Sequence, residues 1–450
     1  MLACSSAQQT RRAWSRVLSK GVPFSCRVMS SSAKPTARPK WLQDIIHDSA
    51  PPPKLYSWTV ANLPESEASQ AVESRNPEQE KERIHILGIG NLGRLFAVSL
   101  ASLPQAPPIT LIFHRPSLLE QWASSPGLSI ESPSGKIHHA TNFDVEYRTR
   151  DPPPHGPLTA ARPISNLIVA TKAPAALPQV DELRGCLGPD TTVVFVQNGM
   201  SRLWPPHGKE YCAHRWEDGA HPDFMLGVTT HGVTHLGPFR SLLASPADVA
   251  LGPVLVNEQR PEGPEYLTQR ILGAPILNAR QVSRSDLWVV QLEKLVVNSV
   301  VNPLTALLRC KNGVLIEKSG GLIGKVMDRL IEEASIVLQA LVRDSSTRQL
   351  ETDGEEDVRA LLDRFSAPRL RMMVYGVCEK VKDNRSSMLQ DVTATKPTEI
   401  GEFNGWLVDT GNRYGLTVAT HNAMVKLVQG GMVLGEDDLE AHILEPPVKV

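Results

Sequence analysis

The stretch Ile84-His-Ile-Leu-Gly-Ile-Gly-Asn-Leu-Gly93, continued by Arg94-Leu-Phe-Ala-Val-Ser-Leu100, decides the fold class. A short apolar run enters a Gly-x-Gly-x-x-Gly turn, and a helix-competent segment leaves it. That is the layout of a dinucleotide site. Gly88 permits the tight turn, Gly90 lets the backbone approach a pyrophosphate, and Gly93 lets the helix pack on its strand with its N-terminus facing the phosphates. Gly88, Gly90, Asn91, Leu92 and Gly93 are therefore candidate cofactor contacts. The competing reading is a glycine-rich βα turn that binds nothing.

Working outward, apolar runs at Ile109–Phe113, Asn166–Ala170 and Thr192–Val196 read as buried strands separated by helical segments. Ser129–Glu131 and Lys136–His138 read as a hairpin around Pro133-Ser-Gly135, and further strands are expected at Met225–Thr230 and Val249–Leu251. Alternation of this kind gives a parallel sheet with helices on both faces, whose ligands sit beyond the carboxyl ends of the strands. Lys172 and Asn198 stand at two such ends. From about Leu287 the apolar spacing becomes helical and strand signals nearly vanish. The expected fold is an α/β, Rossmann-like dinucleotide-binding domain over 83–280 and an all-α domain over 281–445, with a site between them.

The 450 residues carry 47 basic and 48 acidic side chains, a net charge of −1, which gives no global attraction to nucleic acid or to an anionic membrane. No apolar run reaches the length of a membrane span. Six scattered cysteines, without a Cys-x-x-Cys pair, fit neither a zinc site nor a disulfide framework. Residues 1–40 are basic, serine-containing and free of acids, the signature of a mitochondrial transit peptide. The expected localisation is the mitochondrial matrix, with the cytoplasm as the alternative if this is a plain basic tail. Residues 41–82, with Pro51-Pro-Pro53 and a long polar run, read as a disordered linker. Folding is thus expected to begin near Arg83.

The cofactor's identity is set where the second strand ends. There the chain has His114-Arg115 and no acid, and an arginine accommodates a 2′-phosphate where a carboxylate would select a free 2′-hydroxyl. Arg115 thus favours NADP over NAD, unless it simply faces solvent. Lys294, Asn298 and Asn302 recur every four residues and share one face of an otherwise apolar helix. A partly desolvated lysine there suits a proton donor. The bland alternative is a snorkelling lysine, with asparagines capping a kink at Pro303. Ser386 or Ser387 reads as a helix cap, and Glu399 as an acid at another helix start. His207, His214 and His221 recur every seven residues, but the segment reads as a loop and no metal site is expected. His231 and His235 either line the site or merely pack.

Together these residues resemble the ketopantoate reductase (2-dehydropantoate 2-reductase) family, in its fungal mitochondrial type. The motifs are Gly88-Ile-Gly-Asn-Leu-Gly93, Thr171-Lys172-Ala, Gln197-Asn198-Gly199-Met, Lys294-Leu-Val-Val-Asn298-Ser-Val-Val-Asn302-Pro-Leu-Thr, and Ser386-Ser387-Met-Leu-Gln-Asp391 with Thr398-Glu399-Ile. The similarity spans roughly residues 83–435. It implies hydride transfer from NADPH to the ketone carbon of a 2-keto acid, with Lys294 as general acid. It also implies that Glu399 holds Lys294 and the substrate hydroxyl, and that Ser387 binds the substrate carboxylate. Asn298, Asn302 and Asn312 would line the substrate pocket, with Lys172 and Asn198 near the nicotinamide and its ribose. The implied role is reduction of 2-dehydropantoate to pantoate for pantothenate and coenzyme A synthesis. The implied partner is a small 2-keto acid rather than a nucleic acid, and the family is compatible with a homodimer. The leader, the linker and residues 201–224 depart from the compact pattern, and 201–224 reads as a surface insertion. These departures keep two other readings open, a reductase of a different 2-keto acid and a non-enzymatic mitochondrial factor on the same fold.

Overall fold

The computed structural model describes residues 38–64, 76–260, 263–350 and 354–444. All but the last three residues of the expected leader lie outside them.

The central parallel strands are Val-, Ile- and Leu-rich runs buried on both faces, as a parallel sheet covered by helices requires. The strands are β1 (Tyr56–Trp58), β2 (Ile84–Leu87), β3 (Ile109–Phe113), β4 (Leu128–Glu131), β5 (Ile137–Ala140), β6 (Asp144–Thr149), β7 (Ile164–Val169), β8 (Leu187–Phe195), β9 (Asp223–Thr229), β10 (Gly232–Gly237), β11 (Arg240–Ser245), β12 (Val249–Leu255) and β13 (Ala279–Gln281). Nine of them make one sheet in the order β1-β6-β3-β2-β7-β8-β9-β12-β13. The run from β6 to β9 is parallel, and β1 and β12 pair antiparallel at its two sides. β3 lies on one side of β2 and β7 on the other, so the strand order reverses at β2 and opens a crevice at its carboxyl end. A second sheet, β10-β11-β4-β5, contains the expected hairpin.

Helices α1 (Lys40–Ile46), α2 (Pro77–Glu82), α3 (Asn91–Ala101), α4 (Ser117–Ser124), α5 (Ala173–Glu182), α6 (His207–Arg215) and α7 (Glu265–Leu272) accompany the sheets. Beyond β13 the described chain is helical: α8 (Arg284–Leu308), α9 (Asn312–Glu317), α10 (Leu322–Arg343), α11 (Glu355–Arg364), α12 (Ala367–Lys380), α13 (Ser387–Thr393), α14 (Trp406–Arg413) and α15 (Ala419–Gln429). α10 buries Ile323, Val326, Met327, Leu330, Ile331, Ala334, Val337, Leu338 and Leu341, the three-and-four spacing of an amphipathic helix. α8 contacts β9 and β12, and its Leu287, Trp288, Leu292 and Leu295 share one core with Phe195, Leu226 and Val228 of the sheet. The two halves are therefore joined by continuous apolar packing. No described helix is long and apolar enough to cross a membrane.

Two expectations fail. Much of the segment 41–82, read as a disordered linker, is structured. Leu42 and Leu55 are buried, β1 adds to β6, and Ser57 donates to the buried carboxylate of Glu146 at 2.7 Å. Its apolar residues are too few for a core of their own, but they complete one that already exists. Residues 65–75 lie outside the described set. Residues 201–224 are not a surface insertion either: Leu203, Trp204, Tyr211 and Cys212 are buried, and the stretch read as a loop forms α6. The two departures also bind each other. Arg215 reaches Asp48 at 2.9 Å and His214 bonds Asp48 O, while Arg38, at the end of the expected leader, pairs with Glu210.

Candidate active site

The glycine turn follows β2 as expected. Gly88 has φ +93°, a left-handed conformation, and a Cβ there would lie 2.6 Å from Thr171 Cγ2. A Cβ on Gly93 would strike Gly88 O at 1.9 Å, whereas one on Gly90 would meet nothing within 4 Å. The turn is thus closed toward the protein and open in front of Gly90, the N-cap of α3. Among the described residues no side chain caps this helix, which leaves its first N–H groups for an anion. Asn91 turns aside to the second sheet, donating to Val233 O at 3.2 Å and accepting from Ser241 Oγ at 2.9 Å. Leu92 is half-buried in the same turn. Arg115 stands exposed just past the end of β3.

The ends of β8 and β9 meet α8 at Lys294. Its Nζ donates to Asn198 Oδ1 at 2.9 Å and to the backbone O of Thr229 at 2.6 Å. Two of its three N–H bonds are so used, leaving one for a ligand. Burial pushes the Lys294 pKa down to about 8, opposed by the charge of Glu399. Glu399 does not touch Lys294. Its carboxylate accepts the Ala173 N–H at the start of α5 at 2.9 Å and Asn198 Nδ2 at 3.3 Å. Asn198 is therefore the bridge, accepting from the lysine and donating to the glutamate. Glu399 supplies the anionic N-terminal contact expected of it, but to α5 rather than to its own helix.

Lys172 forms an ion pair with Asp391 of α13 at 2.6 Å, spanning the space between the sheet and the helical half. Burial pushes the Asp391 carboxyl up. Ser386, not Ser387, caps α13: its Oγ accepts from Leu389 N at 3.0 Å and bonds Thr305 Oγ1 at 2.7 Å. Ser387 is left exposed, and among the described residues its hydroxyl accepts only from Asn302 Nδ2 at 3.3 Å. Asn298 is half-exposed one turn beyond Lys294, with no side-chain partner among the described residues. Asn312 is buried at the start of α9, where it donates to Val381 O at 3.2 Å and leaves its Oδ1 unpartnered. It supports the turn leading into Ser386 rather than offering an exposed face.

Pro303 sits within α8 without ending it. It cannot donate to the Ser299 carbonyl four residues back. Asn404 Nδ2 donates there instead at 2.9 Å and also contacts His421 Nδ1 at 2.9 Å. Asn404 belongs to a π-helical turn, Gly401–Gly405, directly after Glu399 and Ile400. The proline on α8 thereby anchors the segment that carries Glu399.

Two contributors carry no sequence signature: Thr229 O and Ala173 N–H are backbone atoms. Gln291 was legible by its place one turn before Lys294. It donates to Gly199 O at 2.8 Å and accepts from Trp204 Nε1 at 2.5 Å, fixing the turn after Asn198. His231 packs behind the site. Its Nδ1 accepts from Ala247 N–H at 2.9 Å and its Nε2 bonds Leu277 O at 3.0 Å, which fixes the neutral tautomer. His235 lies beside Arg94.

Such a site can bind a polyanion at the helix end and hold a proton on a buried amine a short way off. Residues 84–255 match the family model described as Ketopantoate reductase PanE/ApbA, and residues 286–431 its C-terminal counterpart. A ketoisovalerate reductase of Gibberella fujikuroi is 38% identical, over 87% of this chain and 95% of its own. A probable 2-dehydropantoate 2-reductase of Schizosaccharomyces pombe is 28% identical, over 80% of this chain and 98% of its own. Among solved structures, a D-mandelate dehydrogenase with NADH and anilino(oxo)acetate superposes with a TM-score of 0.57 at 20% identity, covering 80% of this chain and 100% of that one.

Proposed function

The chain belongs to the ketopantoate reductase family, and from that premise we propose that it reduces a branched 2-keto acid to the 2-hydroxy acid with NADPH. The observation that carries this reading is the Lys294 amine, held by Asn198 and Thr229 with one N–H free and a pKa of about 8. Such an amine is protonated at neutral pH yet gives up its proton readily.

A bound reduced nicotinamide supplies the hydride. The open front of Gly90 and the uncapped start of α3 suit its pyrophosphate, and Arg115 suits a 2′-phosphate. Lys294 donates a hydrogen bond to the keto oxygen and transfers its proton as negative charge gathers there. Asn198 keeps the amine aimed and relays the influence of Glu399. Ser387, free of capping duty, binds the carboxylate, with Asn302 orienting its hydroxyl.

For the substrate, the relative named a ketoisovalerate reductase is more similar over more of the chain than the one named for 2-dehydropantoate. That supports 2-ketoisovalerate. A second reading, 2-dehydropantoate, is favoured by the unpartnered Asn298, because this substrate adds a hydroxymethyl group that a free amide could bind. NADPH consumption by the purified protein, measured with both acids, tests the proposal. Turnover of 2-ketoisovalerate with a higher kcat/KM supports the first reading and the reverse order the second; no turnover of any branched 2-keto acid rejects both.

The composition of residues 1–40 supports mitochondrial import. A fluorescent protein fused behind those residues should enter mitochondria, and a uniformly cytosolic signal would reject the address.

A further inference from the structure

Among the described residues, the other buried arginines sit on carboxylates. Arg83 pairs with Glu80 at 2.9 Å and with Asp144, and Arg184 lies 3.6 Å from Asp181. Arg94 is only 8% exposed, yet no carboxylate among the described residues stands within ion-pair distance of it. Its Nε donates to Ile89 O at 3.1 Å. Its Nη1 lies within 3.3 Å of Gly237 O, Arg240 O, Ser241 Oγ and His235 Nδ1. These partners are neutral, since burial and the charges of Arg94 and Lys396 hold the His235 pKa down.

Three terms oppose a cation here. The charge is buried, it lacks a counter-ion, and it stands at the opening of α3, where the helix dipole repels it. Burial pushes the guanidinium pKa down to about 10, which leaves it charged at neutral pH. The residue whose carbonyl it holds, Ile89, lies between Gly88 and the open Gly90. A pyrophosphate seated in front of that turn would supply the missing counter-ion and offset the helix dipole.

We infer that Arg94 is the fixed counter-charge of the dinucleotide's pyrophosphate. It acts from behind the glycine turn through its field, while its hydrogen bonds hold β10 and β11 against α3. The inference rests on the dinucleotide reading of that turn. It adds a charged residue that the glycine motif does not specify.

The test is the dissociation constant of the full chain for NADPH and for 2′-AMP, which lacks the pyrophosphate, in wild type, Arg94→Met and Arg94→Lys. Arg94→Met should weaken NADPH by about tenfold or more and 2′-AMP by no more than about twofold. NADPH affinity within about twofold of wild type, or equal losses for both ligands, would overturn the inference. Arg94→Lys keeps the charge but can titrate. Its NADPH affinity should stay near wild type at pH 7 and fall relative to wild type between about pH 8 and 10. A ratio flat with pH would also overturn it, and this variant carries the test if Arg94→Met does not fold. Wild type that binds neither NADPH nor NADH rejects the dinucleotide reading itself and the inference with it, and is recognised before any substitution is made.

Discussion

Lys294 is a residue on which burial and charge act in opposite directions. Burial holds its pKa near 8 against the pull of Glu399. The reductive rate should therefore fall as pH rises through about 8, because the proton donor is lost. The same shift bears on stability. The folded-state pKa lies below the ordinary 10.5 of lysine, so the folded protein resists protonating this group, and that penalty is largest at low pH and vanishes as pH rises from about 8 past 10.5. Lys294→Met removes that penalty but also the donor to Asn198 and Thr229, so the signature is the pH trend: its Tm relative to wild type should fall as pH rises from about 8 past 10, and a gap flat with pH in melting experiments would contradict the cost of the buried charge. Arg115→Ala should weaken NADPH and leave NADH affinity unchanged, and equal losses would remove the 2′-phosphate role. At this scale the sequence was informative where a side chain does the work. The four-residue spacing marked the Lys294 face, but nothing in it reveals that Asn198 bridges two charged groups, because the bridge depends on which strand ends become neighbours.

At the scale of elements, the site hangs on α8 and the π-helical turn behind Glu399. Asn404 replaces the hydrogen bond that Pro303 takes from Ser299. Asn404→Leu would leave that buried carbonyl unsatisfied, which costs about 1–3 kcal/mol. Chemical denaturation should show that loss, together with a lower kcat from the loosened Glu399 segment. An unchanged midpoint would refute the anchoring role. Pro303 was visible in the sequence as a helix disturbance; its partner 101 residues later was not. The strands and long helices were legible because their apolar periods are strong. α6 was not, since its polar, histidine-containing sequence buries only Gly208, Tyr211 and Cys212, and docking against α1 and the core supplies the rest.

For the whole molecule, the order of an α/β half and a helical half was readable from the change of period near residue 287. The start of the fold was not. Polar, proline-rich residues between 41 and 64 gain order only by adding to surfaces made elsewhere, through β1 on β6 and Asp48 on Arg215. A chain beginning at Arg38 should melt cooperatively, whereas one beginning at Arg83 exposes the edge of β6 and takes Asp48 from Arg215 and Ser57 from Glu146, leaving them only Asp181 and Arg148. The shorter chain should lose several degrees of Tm or aggregate, and equal melting would show the arm to be dispensable. The most direct test of the central claim is NADPH consumption with 2-ketoisovalerate by wild type and Lys294→Met from pH 6 to 10, with cofactor affinity measured alongside. The account predicts a wild-type rate that declines above about pH 8, and a variant slower by about 10²- to 10⁴-fold that still binds NADPH. A Lys294→Met enzyme turning over at the wild-type rate would contradict it.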